Sequence, residues 1–292
     1  MKTTNKHNIA DVFFRALTHD DYTRGDAKYS NTNLIAPAKS IILKRAHAKE
    51  LTCDVTELFA RWRGTCIHDN LERFAKPNSI AEERLEAEVD GVKLSTKPDH
   101  YDGDTCILDD YKTTSVWSFM LGLKQEWVQQ LNIGAWFLRQ YGFEVKGLKI
   151  QAALWDWNRN EMMRNEDYPK TPLHSLEVPL WSEDKQLEFI RERLAILEEC
   201  EAEFIASGII SRQCTPEERW ETATKFAVMK GANKRATKLC DSTGQAAAYI
   251  KGHKDGGKMS VVERPGEAKR CSLGYCDASP WCQQWKSESV LQ

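Results

Sequence analysis

Apolar positions along the chain follow two periods, and the places where the period changes mark its elements. Helical spacing over residues 9–17 predicts a short N-terminal helix, followed by a polar loop to Tyr29. Asp54 and Glu57 form a capping-box start for a helix that runs to about Phe74, and Pro77 ends it. Period-two alternation then sets in at residues 84–89 and 92–96, joined by Asp90-Gly91, the dipeptide that favours a type I′ turn. Asp102-Gly103-Asp104 makes a second turn before a third strand at residues 106–111, which predicts a three-stranded meander with neighbouring strand ends close together. Residues 126–141 return to helical spacing, with Trp127, Leu131, Ala135 and Leu138 on one face and Gly142 where a C′ glycine belongs. A strand at 145–154, a loop at 156–172 and a strand at 173–180 follow. Ser182, Glu183 and Asp184 then cap a long amphipathic helix carrying Leu187, Ile190, Leu194, Leu197 and Phe204.

Beyond Gly208 the character changes to a Thr215-Pro216 helix start, a basic stretch and a cysteine-bearing end. Within it the pattern reads as strand 235–239, helix 243–251 and strand 258–263. The boundary falls near Ser207, giving a main domain of residues 1–207 and a C-terminal annex of residues 208–292. No internal repeat or low-complexity tract interrupts either.

Composition adds three constraints. Apolar residues at 41% and charged residues at 29%, with ten Trp, describe a folded globular chain rather than a disordered one. Net charge is only -2, yet eleven Lys or Arg stand against four Asp or Glu between Lys225 and Arg270, a segment that either tracks phosphates or forms a solvated face. No apolar run approaches the roughly 20 residues of a membrane span and no apolar leader follows Met1, so the expected location is the cytoplasm. In that reducing setting the nine Cys are read as metal ligands, redox groups or packing rather than disulfides.

The chemistry concentrates in KPDHYDGDTCILDDYKTT. Period two puts Asp110 and Lys112 on one face of their strand with Tyr111 on the other, and Asp99 stands at a neighbouring strand end. Two carboxylates and an ammonium suit phosphodiester hydrolysis: hard oxygens hold Mg²⁺, and the lysine orients water and offsets developing charge. The competing reading of Asp-x-Lys alone is a surface ion pair. In RGTCIHDNLE, Gly64, His68 and Glu72 recur every four residues along one helical face, so His68 adds an imidazole ligand compatible with Mn²⁺ as well as Mg²⁺, and Glu72 a carboxylate.

With YSNTNLIAPAK, GTCIHDNLE, AEERL, KPD, LDDYKTT and QQLNIGAWFL in this order, the chain resembles the RecB-like branch of the PD-(D/E)XK nucleases, phage exonucleases in particular. The resemblance implies an α/β, restriction-endonuclease-like core, a mixed central sheet flanked by helices. It implies metal ligation by His68, Asp99 and Asp110, catalysis by Asp99, Asp110 and Lys112, and an organising role for Gln130 of the Gln-Leu-x-x-Tyr motif. Gly134 stands at the motif's tyrosine position, with Trp136 nearby as a substitute aromatic. The expected activity is a Mg²⁺- or Mn²⁺-dependent deoxyribonuclease, an exonuclease of phage-type recombination, repair or replication, with DNA as substrate and a recombination or replication protein as partner. The alternative is a non-catalytic DNA-binding subunit of a recombination or CRISPR-adaptation-like complex.

Cys271, Cys276 and Cys282 make a C-x4-C-x5-C end, and Cys214 lies upstream, with Cys53 and Cys240 as competitors for the fourth position. Four thiolates suit an iron-sulfur cluster or zinc, and unligated cysteines are the third reading. AddB-type and CRISPR-adaptation nucleases carry a terminal cysteine triad on a 4Fe-4S cluster, which is what the resemblance implies here. Tyr275, Trp281 and Trp285 are read either as base-stacking groups or as a shield around such a cluster.

Overall fold

The computed structural model describes residues 2–21, 23 and 25–289. It divides into two compact units, one of Met1–Ala38 and His47–Ser207, the other of Lys39–Ala46 and Gly208–Gln292. The division at Ser207 coincides with the boundary read from the sequence, but Lys39–Ala46 groups with the C-terminal unit across the sequence order.

The N-terminal part contains β1 (Lys2–Thr4), α1 (Asp11–Thr18), β2 (Tyr29–Ser30), α2 (Asn31–Ile35), α3 (Ala38–Ala46), β3 (Thr52–Asp54) and α4 (Phe59–Glu72). Next come β4 (Ser79–Ala81), β5 (Leu85–Val89), β6 (Val92–Thr96), β7 (His100–Asp102), β8 (Ile107–Thr114), α5 (Val116–Met120) and α6 (Gln125–Gln140). β9 (Gly147–Leu154), α7 (Arg159–Arg164), β10 (Leu173–Val178) and α8 (Glu183–Ser207) complete the first unit. The fold is mixed α/β. Its main sheet has the order β10-β9-β8-β7-β4, with β8 and β9 parallel and the other neighbours antiparallel.

Local signals account for several of these elements. Asp54 and Glu57 make the reciprocal capping box, which opens a single 3-10 turn, Val55–Leu58, that runs on into α4. Asp90 and Gly91 both take positive φ, 50° and 81°, and let β5 and β6 turn back in two residues. β9 alternates with Leu148, Ile150, Ala152 and Leu154 buried, whereas α6 is buried nearly all round from Trp127 to Leu138, as befits a helix inside the unit.

The expected three-stranded meander does not form. β5 and β6 belong to a separate sheet of order β2-β6-β5, and β8 pairs instead with β7 and β9. The chain breaks between β6 and β7 at Lys97-Pro98-Asp99, because Pro98 has no N–H to give a ladder. The loop expected at 156–172 contains α7.

Two glycines show how the helices sit on the main sheet. A Cβ on Gly134 of α6 would stand 3.2 Å from the Leu108 side chain, and one on Gly64 of α4 would stand 3.7 Å from Thr113 Oγ1. Leu108 and Thr113 lie on opposite faces of β8, so α6 and α4 cover opposite faces of the sheet.

The second unit contains β11 (Lys225–Lys230), β12 (Lys238–Cys240), α9 (Thr243–Gly252), β13 (Met259–Arg264), α10 (Lys269–Ser272) and α11 (Gln283–Ser289). Its sheet has the order β12-β11-β13, all antiparallel, so the strand-helix-strand read from the sequence gains β11 between its two strands. Val228, Cys240 and Ala246 form its small core. Among the described residues no helix is long and apolar enough to cross a membrane.

Candidate functional site

Register assembles the site. Ala81 pairs with His100 and His100 with Asp109, so one step further along the same rung stand Glu82, Asp99 and Asp110. Three carboxylates thus meet where β4, β7 and β8 separate after Pro98. Asp110 is 4% exposed. Its Oδ2 lies 2.5 Å from Lys112 Nζ, but no donor reaches that oxygen with hydrogen-bonding geometry. Lys112 Nζ also donates to Gln130 Oε1 at 3.1 Å, which joins β8 to α6. Asn31 steadies that turn of α6 by donating to the Gln130 carbonyl at 3.0 Å and to Thr96 Oγ1 at 3.1 Å.

From the opposite face α4 delivers His68. Its Nδ1 lies 2.8 Å from Glu82 Oε1 and 3.5 Å from Asp99 Oδ1, and its Nε2 lies 3.3 Å from the Tyr111 carbonyl. Carboxylates at Nδ1 and a carbonyl at Nε2 are all acceptors, so both ring nitrogens carry a proton in this arrangement. Glu82 Oε2 pairs with Lys97 Nζ at 2.7 Å, and Asp99 Oδ2 accepts the Tyr111 N–H at 2.6 Å. Glu82 itself has φ +52°, and its N–H donates to the Pro98 carbonyl. Holding a non-glycine residue there costs about 1–3 kcal/mol, and such strain collects at functional positions.

The charges respond to one another. Burial, reinforced by the neighbouring Asp110 charge, pushes Asp99 up to about 7. Burial works against the His68 imidazolium, yet the hydrogen bond to Glu82 and the Asp99 charge outweigh it and raise the imidazole above its ordinary value. Burial likewise opposes the Glu82 carboxylate, but His68 and Lys97 hold it below the usual range. One ligand atom each from His68, Glu82 and Asp99 lies within 4.8 Å of the others, the spacing a single cation needs.

Of the residues singled out in the sequence, His68, Asp99, Asp110, Lys112 and Gln130 come together. Glu72 does not: it is exposed at the C-terminal end of α4, one turn beyond His68, and its carboxylate has no hydrogen bond or ion pair among the described residues. Glu82 occupies the carboxylate position beside the imidazole instead. The AEERL segment contained it, but the three-residue strand β4 that places it carries too little periodicity to be read. Gly134 is pressed against Leu108, so no tyrosine fits there, and Trp136 is 4% exposed against Phe137, a core residue.

In the second unit Cys214, Cys271, Cys276 and Cys282 lie close enough to influence one another electrostatically. Burial, with help from Glu218, Cys282 and Cys276, pushes the Cys214 thiol up to about 12. Burial also raises the Cys271 thiol, although Arg219 beside it works the other way. Cys276 Sγ is 3.6 Å from Ser40 Oγ, and Lys44 pairs with Asp277 at 2.5 Å, so the segment Lys39–Ala46 is bound to the cysteine end. Lys39 is 4% exposed and close enough to Cys214 for its charge to lower that thiol's pKa. Cys240 is packed in the small core with Val228, and Cys53 packs in the first unit against Leu17, Val55 and Leu58. Tyr275 is exposed and tilted against Trp220, while Trp281 and Trp285 are half-buried.

No family model and no curated protein matches the chain. Among solved structures, one described as "Crystal structure of SSO0001" is similar at a TM-score of 0.45 and 15% identity, covering 72% of this chain and 88% of that one, a likeness too weak to carry an argument.

Proposed function

We propose that the first unit is a divalent-metal-dependent DNA nuclease of the PD-(D/E)XK type on a restriction-endonuclease-like core. The observation that carries the reading is the rung of Glu82, Asp99 and Asp110, with His68 on one side of it and Lys112 on the other. A buried Asp110 carboxylate beside an Asp99 whose ionisation is suppressed is a crowded acidic pair that a divalent cation would balance. His68, Asp99 and Asp110 would hold Mg²⁺ or Mn²⁺. Such an ion polarises a scissile phosphate and makes water a usable nucleophile near neutral pH.

The chain's own residues do the rest. Glu82 accepts a hydrogen bond from His68 Nδ1 and the Tyr111 carbonyl one from Nε2, which together fix the ring, and the imidazole would ligate once a ring nitrogen gives up its proton. Lys112 is held by Asp110 and Gln130, its ammonium placed to offset charge gathering on a phosphoryl group. Exonuclease action in recombination, repair or replication, with a protein partner there, follows from the resemblance alone.

The deciding experiment is digestion of linear, circular and single-stranded DNA with Mg²⁺ or Mn²⁺, comparing the unmodified chain with Lys112→Ala. Loss of roughly 10²–10³-fold in rate with DNA binding retained supports the reading. Equal rates, or no digestion by the unmodified chain, reject it.

For the second unit the reading is a structural 4Fe-4S cluster on Cys214, Cys271, Cys276 and Cys282. Lys39 stands close enough to Cys214 for its charge to favour the thiolate form, and four thiolates on a cluster are the anionic group such a neighbour suits. Iron and acid-labile sulfide in the purified protein support it, and stoichiometric zinc without iron rejects it.

A further inference from the structure

Arg63, Ile67 and Leu71 are spaced four residues apart on α4 and form one stripe down the helix. Ile67 and Leu71 wall a groove of about 580 Å³ whose other side is formed by β8, β9 and β10, with Tyr111, Ala153 and Leu173 among its lining. Lys112 borders it as a residue of β8, with its ammonium turned to Gln130 on the other face, and Ile67 immediately precedes His68 on α4. Apart from Lys112 and a few polar groups, its walls are apolar.

A cation stands one helical turn before Ile67, next to the residues that line the groove. Beyond Thr113 and Ala153, the Arg63 guanidinium lies 4.4 Å over the ring of Trp155. Trp155 is 57% exposed. Arg63 has no hydrogen bond or ion pair among the described residues, and its Nε is buried without a partner. A guanidinium fixed on an indole with its donors unclaimed is prepared for an anion with several acceptor oxygens, for which phosphate is the matching group. Apolar walls beside such a cation call for flat apolar groups joined to phosphates.

An unpaired nucleic-acid strand has that alternation, whereas a duplex hides its base faces in the stack and offers only phosphates and groove edges. Taking the nuclease reading as its basis, we propose that this groove beside His68 binds a single strand of the DNA substrate, with Arg63 on a phosphate and a base against Trp155 and the apolar walls. The enzyme then acts on unpaired ends, and the groove sets that preference.

The test is binding without hydrolysis. In EDTA, a labelled oligothymidylate and a duplex of equal length are titrated with the full chain, following anisotropy and tryptophan fluorescence. The single strand should bind at least about tenfold more tightly, and Arg63→Ala and Trp155→Ala should each weaken it about tenfold, within the range for loss of one stacked base. Arg63→Ala should also lower the salt slope by about one, the signature of a lost phosphate contact. Leu71→Glu, at a position already 38% exposed, puts a like charge on the groove wall and should weaken binding without lowering the melting temperature. Equal affinity for duplex and single strand, or variants that bind as the unmodified chain does, overturn the groove. If single strands bind through Arg63 but are not cut when Mn²⁺ is added, the nuclease reading fails and the groove stands.

Discussion

Glu82 Oε1 stands 2.8 Å from His68 Nδ1, and it does so from a residue held in the left-handed backbone region. The contact links a helix on one face of the sheet to the loop after an edge strand, and it gives the imidazole its orientation. Glu82→Gln keeps the shape but weakens the acceptor. The expected outcome is a 10–100-fold loss of Mn²⁺ affinity by titration calorimetry, with the fold intact by circular dichroism. Undiminished affinity would show that the ring is oriented by something else.

Asp99 and His68 make the metal-free protein pH-sensitive in one direction. Asp99 is raised to about 7, so between its ordinary value and 7 the folded chain holds a proton the unfolded chain has lost, and stability falls as pH rises through that window. His68 is raised as well, so its contribution is present below the ordinary imidazole value and is lost above it. In EDTA the melting temperature should drop between about pH 5 and pH 8. Adding Mn²⁺ should raise it more at pH 8 than at pH 5.5, and Asp99→Asn should flatten the first effect and abolish the second.

Gly134 lets α6 approach β8. A Cβ there stands 3.2 Å from a terminal methyl of Leu108, which is 2% exposed and would have to shift within packed surroundings. Gly134→Ala improves helix propensity by up to about 1 kcal/mol, but overpacking costs about 1–3 kcal/mol, so a net loss of stability is expected in denaturant unfolding. Combining it with Leu108→Ala should bring a smaller loss than the two changes summed, because the second makes room for the first.

Lys39 distinguishes a loaded from an empty thiol site. Lys39→Met keeps most of the side-chain volume and removes the positive charge beside Cys214. If the four cysteines hold an anionic cluster, the variant should lose iron faster on exposure to a chelator, followed by iron content and visible absorbance. The same variant stripped of iron should melt no lower than the stripped parent. A variant that keeps its iron as well as the parent does would remove Lys39 from the argument.

Much of this protein is written in short windows of sequence. The Asp90-Gly91 turn, the capping box at Asp54, the one-sided burial of β9 and the shared face of Asp110 and Lys112 all follow from hydrogen bonds and side-chain periods that span a few residues. Tertiary structure decided what those windows meet. Whether β6 or β7 pairs with β8, whether Glu72 or Glu82 stands beside His68, and whether Lys39 lies with the first unit or beside the cysteines depend on packing between segments far apart in the chain. A three-residue strand such as β4 has too few positions to declare a period, and a break at Pro98 ends a strand without naming its next neighbour. Local chemistry sets the pieces, and the free energy of burying them together chooses the register in which carboxylates, imidazole and ammonium arrive at one place.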